Sequence, residues 1–318
     1  MNNASRTIRG GTRVDATMAS TLSTWKRFWR GSKPLVHTVR LQGMIATGRA
    51  PGFGPQPLNL ESVERHLASA FSKKVMPDAV AITVNSPGGS PVQSDLIYTR
   101  IRALAKETGI PVFTFAEDVA ASGGYYLLAA GADGVYCRDT SIVGSVGVVS
   151  GGFGFVDAIK RLGVERRVYA SGRSKVQLDP FLPEKEEDLA ARRRILENIH
   201  ASFRDVVLDA RGEKLTLNHE RAFSGEVFTG REAVEHGLCD AVGEVRGVMR
   251  EKFGEDVRFR RFGGASRIFG TSAFSSAREA AADVLALANG LGAGAERRMV
   301  DAVMHAMEER AAYARFGL

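Results

Sequence analysis

The sequence predicts an α/β fold built on a mostly parallel sheet with flanking helices. Three observations carry that prediction. Short β-rich runs alternate with helical stretches from Pro34 onward, the order expected of parallel strands joined by crossover helices. Ala79-Val80-Ala81-Ile82-Thr83-Val84 is almost continuously apolar, as a strand buried on both faces must be. Glycine-rich turns close the strands where an open α/β sheet binds its ligands.

The elements follow in order. Leu35 to Leu41 reads as the first strand, and Gly48 to Pro57 as a loop. Val63, Leu67 and Phe71 recur at helical spacing. After the apolar strand at 79–84, Ser90 can cap a helix through Leu104 that Gly109 closes. Pro111 to Phe115 is the next strand, Ser122 to Ala130 a helix, and Gly134 to Cys137 a strand. A helix at Phe155 to Leu162 ends at Gly163, and Val164 to Tyr169 reads as a strand. Pro183 to Ala210 is a long charged helix whose apolar face is Ile195, Ile199, Phe203 and Val206-Val207. Arg231 to Glu235 is a short helix stopped at Gly237.

Composition narrows the functional classes. The 318 residues are 44% hydrophobic and 25% charged, ordinary for a globular protein. The net charge is +7, but residues 1–33 supply +6 of it and residues 34–250 are neutral. A nucleic-acid-binding body should be basic, so no nucleic-acid partner is expected. The Arg- and Ser-rich N-terminus fits a mitochondrial transit peptide. Its Trp25-Lys26-Arg27-Phe28-Trp29-Arg30 stretch also suits peripheral contact with an anionic membrane surface, and a plain tail remains the third reading. No run is long and apolar enough for a transmembrane anchor; the richest, Ala273 to Gly294, is broken by Arg278, Glu279 and Asp283. An intracellular, soluble protein is the expectation. Cys137 and Cys239 lie far apart in sequence and form no metal-ligand pattern, so neither a disulfide framework nor a zinc site is expected. Three segments emerge: a basic N-terminal extension at 1–33, a central domain at 34–261, and a C-terminal helical extension at 262–318.

Two segments at strand-to-helix junctions carry chemistry. In Asn85-Ser86-Pro87-Gly88-Gly89-Ser90 two glycines let backbone N–H groups turn outward at a helix start, which makes an anion or oxyanion site. A P-loop is excluded, because no GxxxxGK[ST] is present. In Ala120-Ala121-Ser122-Gly123-Gly124 a serine sits at a helix start among small residues, placed either for attack or as a cap. A nucleophilic serine needs a base. None of the six histidines (His37, His66, His200, His219, His236, His305) is placed as one by the sequence pattern. Lys175, in the loop Ser171 to Phe181, is the other option. A lysine base must be uncharged near neutral pH, which costs about 4 kcal/mol that burial has to supply. Val176, Leu178 and Phe181 are the flanking apolar groups expected to supply it.

Together these segments resemble the signal peptide peptidase A (protease IV) family and its SohB-like single-domain relatives. The resemblance rests on Asn85 to Gly89, Ala120 to Tyr126, Val143 to Val148, and Lys175 ahead of Asp179-Pro180-Phe181, in the family's order. Phe228-Thr229-Gly230-Arg231-Glu232-Ala233 with Gly237-Leu238-Cys239-Asp240 resembles its closing element. The resemblance covers about 35–250. It implies a crotonase/ClpP-like fold and a serine peptidase with a Ser–Lys dyad. Ser122 would be the nucleophile, Lys175 the base, and Ser145 the serine that orients the lysine. Gly88 and Gly89 would form the oxyanion loop, with the Ser122 N–H a second candidate donor. The implied substrates are signal-peptide remnants or other short or unfolded peptides. It implies a homo-oligomer and no metal or cofactor. Family members often carry an N-terminal membrane anchor, which this sequence lacks. That departure favours soluble peptides over membrane-bound remnants. Two other readings stand beside this one. A crotonase-type acyl-CoA enzyme would need a carboxylate acid/base pair and an adenine site, which the sequence does not display. A non-catalytic scaffold would need a tail blocking the pocket.

Overall fold

The computed structural model describes residues 33–48, 56–172, 174–263, 311–314 and 316. The N-terminal extension and nearly all of the C-terminal one lie outside the described residues.

The sheet is built on β2 (Ala79–Ser86), the apolar run. Its residues alternate between two cores. Val80, Ile82 and Val84 join one face, while Ala79 and Ala81 join the other. On one side β2 pairs in parallel with β1 (Leu35–Gln42), which pairs in turn with β8 (Arg258–Phe262). On the other it pairs in parallel with β3 (Val112–Ala121). That strand forks the sheet. Its first half, Phe113 to Phe115, pairs with β4 (Gly134–Cys137), and its last three residues pair with β5 (Ile142–Gly144). β4 continues to β7 (Ala241–Val242), and β5 to β6 (Val227–Thr229). Only the β5–β6 pairing is antiparallel among the described strands.

The larger core lies under α1 (Leu60–Ala70), α2 (Pro91–Thr108) and α3 (Gly123–Leu128). Val63, Leu67 and Phe71 are buried there at the predicted helical spacing. Full burial of a side chain such as Ile82 or Leu67 stabilises by roughly 1.5–3 kcal/mol. Asn59 begins α1 with a capping box shared with Ser62, Ser90 caps α2, and Gly109 ends α2 in the left-handed region at φ 70°. The smaller core lies under α8 (Val245–Phe253), where Val248 and Met249 meet Phe113 and Tyr136. The structure therefore confirms the predicted α/β class and mostly parallel sheet.

Two expectations need correction. Val164 to Tyr169 is not a strand: it is largely exposed and pairs with no neighbour among the described residues. α4 (Val156–Arg161) stands beside it without a buried residue. The long helix, α5 (Glu186–Arg211), buries Phe203, Val207 and Arg211, whereas Ile195 is exposed. Only its C-terminal half reaches the core. Cys137 and Cys239 are distant in sequence, but both thiols are buried and hydrogen-bond each other as free cysteines. That bond and burial push the Cys239 thiol up.

A buried ion pair ties the closing element to the body. Arg211 donates to the Gly237 carbonyl and, through its second nitrogen, to Asp240 at 3.0 Å. Lys214 adds a bond to the same Asp240 oxygen, while Val135 N–H donates to the other. Burial opposes the charge on Asp240, but the bonds from Arg211, Lys214 and Val135 outweigh it and hold the carboxyl down at about 2. Asp240 thus fixes α5 to the start of β4.

Candidate active site

Two strands deliver two serines. Ala121 of β3 pairs with Gly144 of β5, so the next residues, Ser122 and Ser145, leave adjacent parallel strands at the same level. Both adopt positive φ, 53° and 54°. Such backbone costs about 1–3 kcal/mol in a residue with a Cβ. Ser122 has ψ −123° and makes no capping bond to α3, although it stands at the N-cap position. The sequence left attack and capping open for this serine, and the structure removes capping. The strain is held by neighbours on both sides. Ser122 N–H donates to Gly144 C=O at 2.8 Å, and Ser145 N–H donates to Glu226 C=O at 2.7 Å.

The glycine loop closes on the same point. The Gly88 carbonyl accepts from Ile45 N–H at 2.8 Å, and Ser90 N–H donates to Ile45 C=O at 2.7 Å. A trans peptide whose carbonyl faces Ile45 turns its N–H, that of Gly89, the opposite way. No acceptor meets that N–H among the described residues. Gly88, at φ 101°, is pressed against the serine turn: a Cβ there would lie 2.8 Å from the Ser122 Cβ and from Gly123 N. A Cβ on Gly89 would collide with the Ile45 carbonyl, and one on Gly124 with the Ser86 carbonyl. The two glycine motifs are thus required by their approach to each other. Asn85 fixes the base of the loop, because its side chain donates to Asp118 at 2.6 Å and accepts from Val119 N–H at 3.2 Å across an irregularity in the β2–β3 pairing.

These groups open onto a cavity of about 900 Å³. Ser122, Ser145, Gly88 and Gly89 all line it. Its walls come from α2 (Val92, Ser94, Asp95), α3 (Tyr126) and α5 (Ile199, Phe203). Ala312 and Phe316, close to the C-terminus, line it too, and Tyr313 Oη donates to the Asn85 carbonyl at 2.9 Å. No histidine is among the described lining residues. Nor is Lys175, which is exposed in the single chain. Val176 and Leu178 are only half-buried and Phe181 is 37% exposed, so the flanking apolar residues do not bury this amine by themselves. The reason is local: no described residue between 147 and 202 is buried, and the segment folds mainly on itself. Phe155 N–H donates to Pro180 C=O, its ring stacks on Phe181 at 5.5 Å, and Arg166 pairs with Asp179.

A model of "Peptidase family S49" matches residues 104–255, a span that includes Ser122, Ser145 and Lys175. Just under half of this chain is thus similar to peptidase family S49. A putative signal peptide peptidase SppA of Enterococcus faecium is 31% identical over 64% of this chain and 59% of its own length. The chloroplastic serine protease SPPA of Arabidopsis thaliana is 29% identical over 72% of this chain and 34% of its own. A Brucella abortus protein named Na(+)/H(+) antiporter NhaA is 48% identical over 74% of this chain, but over 31% of its own length. The chain therefore spans between about a third and three fifths of these relatives. Among solved structures, a mutant of the membrane-bound stomatin-specific protease 1510-N is 15% identical, at a TM-score of 0.44 over 74% of this chain.

Within the segment similar to S49 the tertiary structure also changes the list of groups around the serine. The Ser122 N–H is spent on Gly144, so it is not the second oxyanion donor the sequence suggested. Asp95 escaped the sequence reading, because it stands on a helix without a motif of its own, and Tyr126 was read only as the end of the Ser122 motif, without a role. A signal existed for Tyr126 alone: it follows Ser122 by one helical turn. Tyr313 could not be found from sequence, since its bond to Asn85 spans most of the chain. Among the described residues, no cluster of side chains is arranged to hold a metal ion, and no helix is long and apolar enough to cross a membrane.

Proposed function

We propose that this chain is a serine endopeptidase that cleaves short or unfolded peptides through an acyl-enzyme, with Ser122 as nucleophile and Lys175 as general base. One observation carries the reading: the strained Ser122 turn lies against a glycine loop whose Gly89 N–H has no acceptor, at the floor of a peptide-sized cleft. Strain of this kind marks sites where geometry is held for use. In this account the Ser122 hydroxyl attacks a peptide carbonyl and the carbonyl oxygen becomes an anion. The Gly89 N–H, with Gly88 shaping the loop, stabilises that anion where it develops. Lys175 takes the serine proton and returns it to the leaving amine, and water then releases the acyl group by the same path reversed. Ser145 is the group in register to position the amine. The names of the Enterococcus and Arabidopsis relatives, SppA and serine protease SPPA, support this class of reaction. The acyl-CoA alternative loses ground, because Asp95 is the only carboxylate among the described lining residues, so no acid/base pair of carboxylates stands among them.

A lysine acts as a base only when uncharged, so Lys175 needs cover that the described residues do not provide. We propose that a second copy of the chain supplies it. Val149, Phe153, Leu162 and Tyr169 are 82%, 81%, 77% and 91% exposed on the segment that bears Lys175. Exposed apolar side chains in such number on one stretch of chain are the kind of surface that a partner covers. Peptides enter the cleft by displacing Ala312 and Phe316.

The test is labelling of the purified chain with a fluorophosphonate probe, followed by mass spectrometry and a peptide-cleavage assay. Modification of Ser122 and loss of cleavage in Ser122→Ala and Lys175→Ala are expected. Turnover close to wild type in either variant would overturn the dyad.

A further inference from the structure

The described walls of the Ser122 cleft are mainly apolar, with the hydroxyl-bearing residues Ser202 and Ser224 among them. Met44, Val92, Ile199 and Phe203 contribute aliphatic and aromatic surface. Asp95 is the one acidic or basic side chain among the described lining residues. It sits in the second turn of α2, next to Ser94, which is fully buried and whose hydroxyl donates to the Ser90 carbonyl at 2.9 Å. That turn is therefore fixed. Tyr126 Oη donates to Asp95 Oδ1 at 2.9 Å. Tyr126 belongs to the helix that begins directly after Ser122, so the bond ties the carboxylate to the nucleophile's own element. Tyr98 edge-on at 5.4 Å and Phe203 at 5.1 Å hold the Tyr126 ring in place. Burial and the Asp95 bond both raise the Tyr126 phenol, which keeps it a donor. The other Asp95 oxygen has no hydrogen-bond partner or ion pair among the described residues. The nearby charges are Arg102 and Asp209, which flank Tyr98.

We propose that Asp95 makes the cleft selective for a peptide residue with a long aliphatic stem and a cationic end, lysine or arginine, seated against Tyr126. This inference rests on the reading of Ser122 as nucleophile and names the substrate class for it. The stem of such a residue covers apolar wall while its charge reaches the free carboxylate oxygen. Discrimination runs both ways. A cation gains a charge-assisted bond, whereas an apolar residue of the same length covers the carboxylate and leaves it without a partner. A bond of that class corresponds to about 10- to 100-fold in kcat/KM.

The experiment uses the full chain and matched peptides that differ by lysine or norleucine at one position, scanned across the cleavage site. Wild type should favour lysine about 10-fold or more at one position. Asp95→Asn, whose amide oxygen still accepts from Tyr126, should remove most of that ratio. Asp95→Arg should turn the preference at the same position towards glutamate. An unchanged lysine-to-norleucine ratio in Asp95→Asn, or a wild type that disfavours lysine at every position, overturns the inference while leaving the peptidase reading intact. Absence of cleavage in every peptide, together with no probe on Ser122, overturns the peptidase reading and this inference with it.

Discussion

Ser122 and Ser145 follow a pair of in-register residues on adjacent parallel strands, and both hold a backbone conformation that side chains with a Cβ seldom adopt. The sheet thereby fixes two hydroxyl-bearing residues side by side without any loop flexibility between them. Five expectations follow from the geometry around them.

Strain at Ser122 should trade stability for activity. Glycine accepts positive φ without cost, so Ser122→Gly should be inactive yet more stable than Ser122→Ala by about 1 kcal/mol. Urea unfolding of the two variants measures the difference. Equal stability would mean that the turn is relaxed.

The oxyanion loop should not tolerate a methyl group. Gly89→Ala would force the glycine loop away from Ile45, since the new Cβ meets the Ile45 carbonyl. Activity should fall by about 10²–10³-fold, the usual loss for one oxyanion donor. Thermal unfolding should fall with it, because the Ile45–Gly88 bond is part of the fold. Full activity in a folded Gly89→Ala protein would exclude this loop from the chemistry.

Cover over Lys175 should make activity depend on assembly. Dilution of the protein should lower specific activity as copies separate. Tyr169→Asp, which places a charge among the exposed apolar side chains, should lower both the sedimenting mass and the activity at a given concentration. A monomer that retains full specific activity on dilution would rule out a second copy as the cover.

The segment close to the C-terminus should compete with substrate. Tyr313 is bonded to Asn85 beside the glycine loop, and Phe316 lines the cleft. Truncation after residue 310 should lower KM for peptides by several-fold with kcat little changed. An unaltered KM would show that these residues leave the cleft without cost.

Asp240 should govern the acid limit of stability. Its carboxyl is held at about 2 in the folded chain, against about 3.9 in an unfolded one. Because the folded value is the lower one, the stabilisation is complete above about pH 4 and fades as pH falls towards 2. It amounts to roughly 2 kcal/mol. Asp240→Asn should flatten this part of the stability–pH curve and should also destabilise at neutral pH by about 3 kcal/mol or more, because Arg211 would stay buried without its charge partner. Stability curves for wild type and variant from pH 2 to 7 decide it.

Elements with many residues of one pattern were legible in the sequence. β2 was marked by its unbroken apolar run and α1 by Val63, Leu67 and Phe71. Short strands were not. β5, β6 and β7 hold two or three residues each and show no period. β8, Arg-Phe-Arg-Arg-Phe, sits at the sheet edge and is mostly exposed, so its sequence lacks a buried-strand signature. Val164 to Tyr169 misled in the opposite sense: its composition suits a strand, but no neighbouring strand pairs with it in the single chain.

The sequence by itself determined the parallel α/β layout and the two glycine-rich junctions, because burial period and the steric freedom of glycine act over a few neighbouring residues. Tertiary structure alone decided which groups meet. It set Ser122 level with Ser145, spent the Ser122 N–H on Gly144, turned the Gly89 N–H free, and brought Asp95 and Tyr313 to the cleft. Strand register and helix packing join positions far apart in the chain, and no local pattern records such distances.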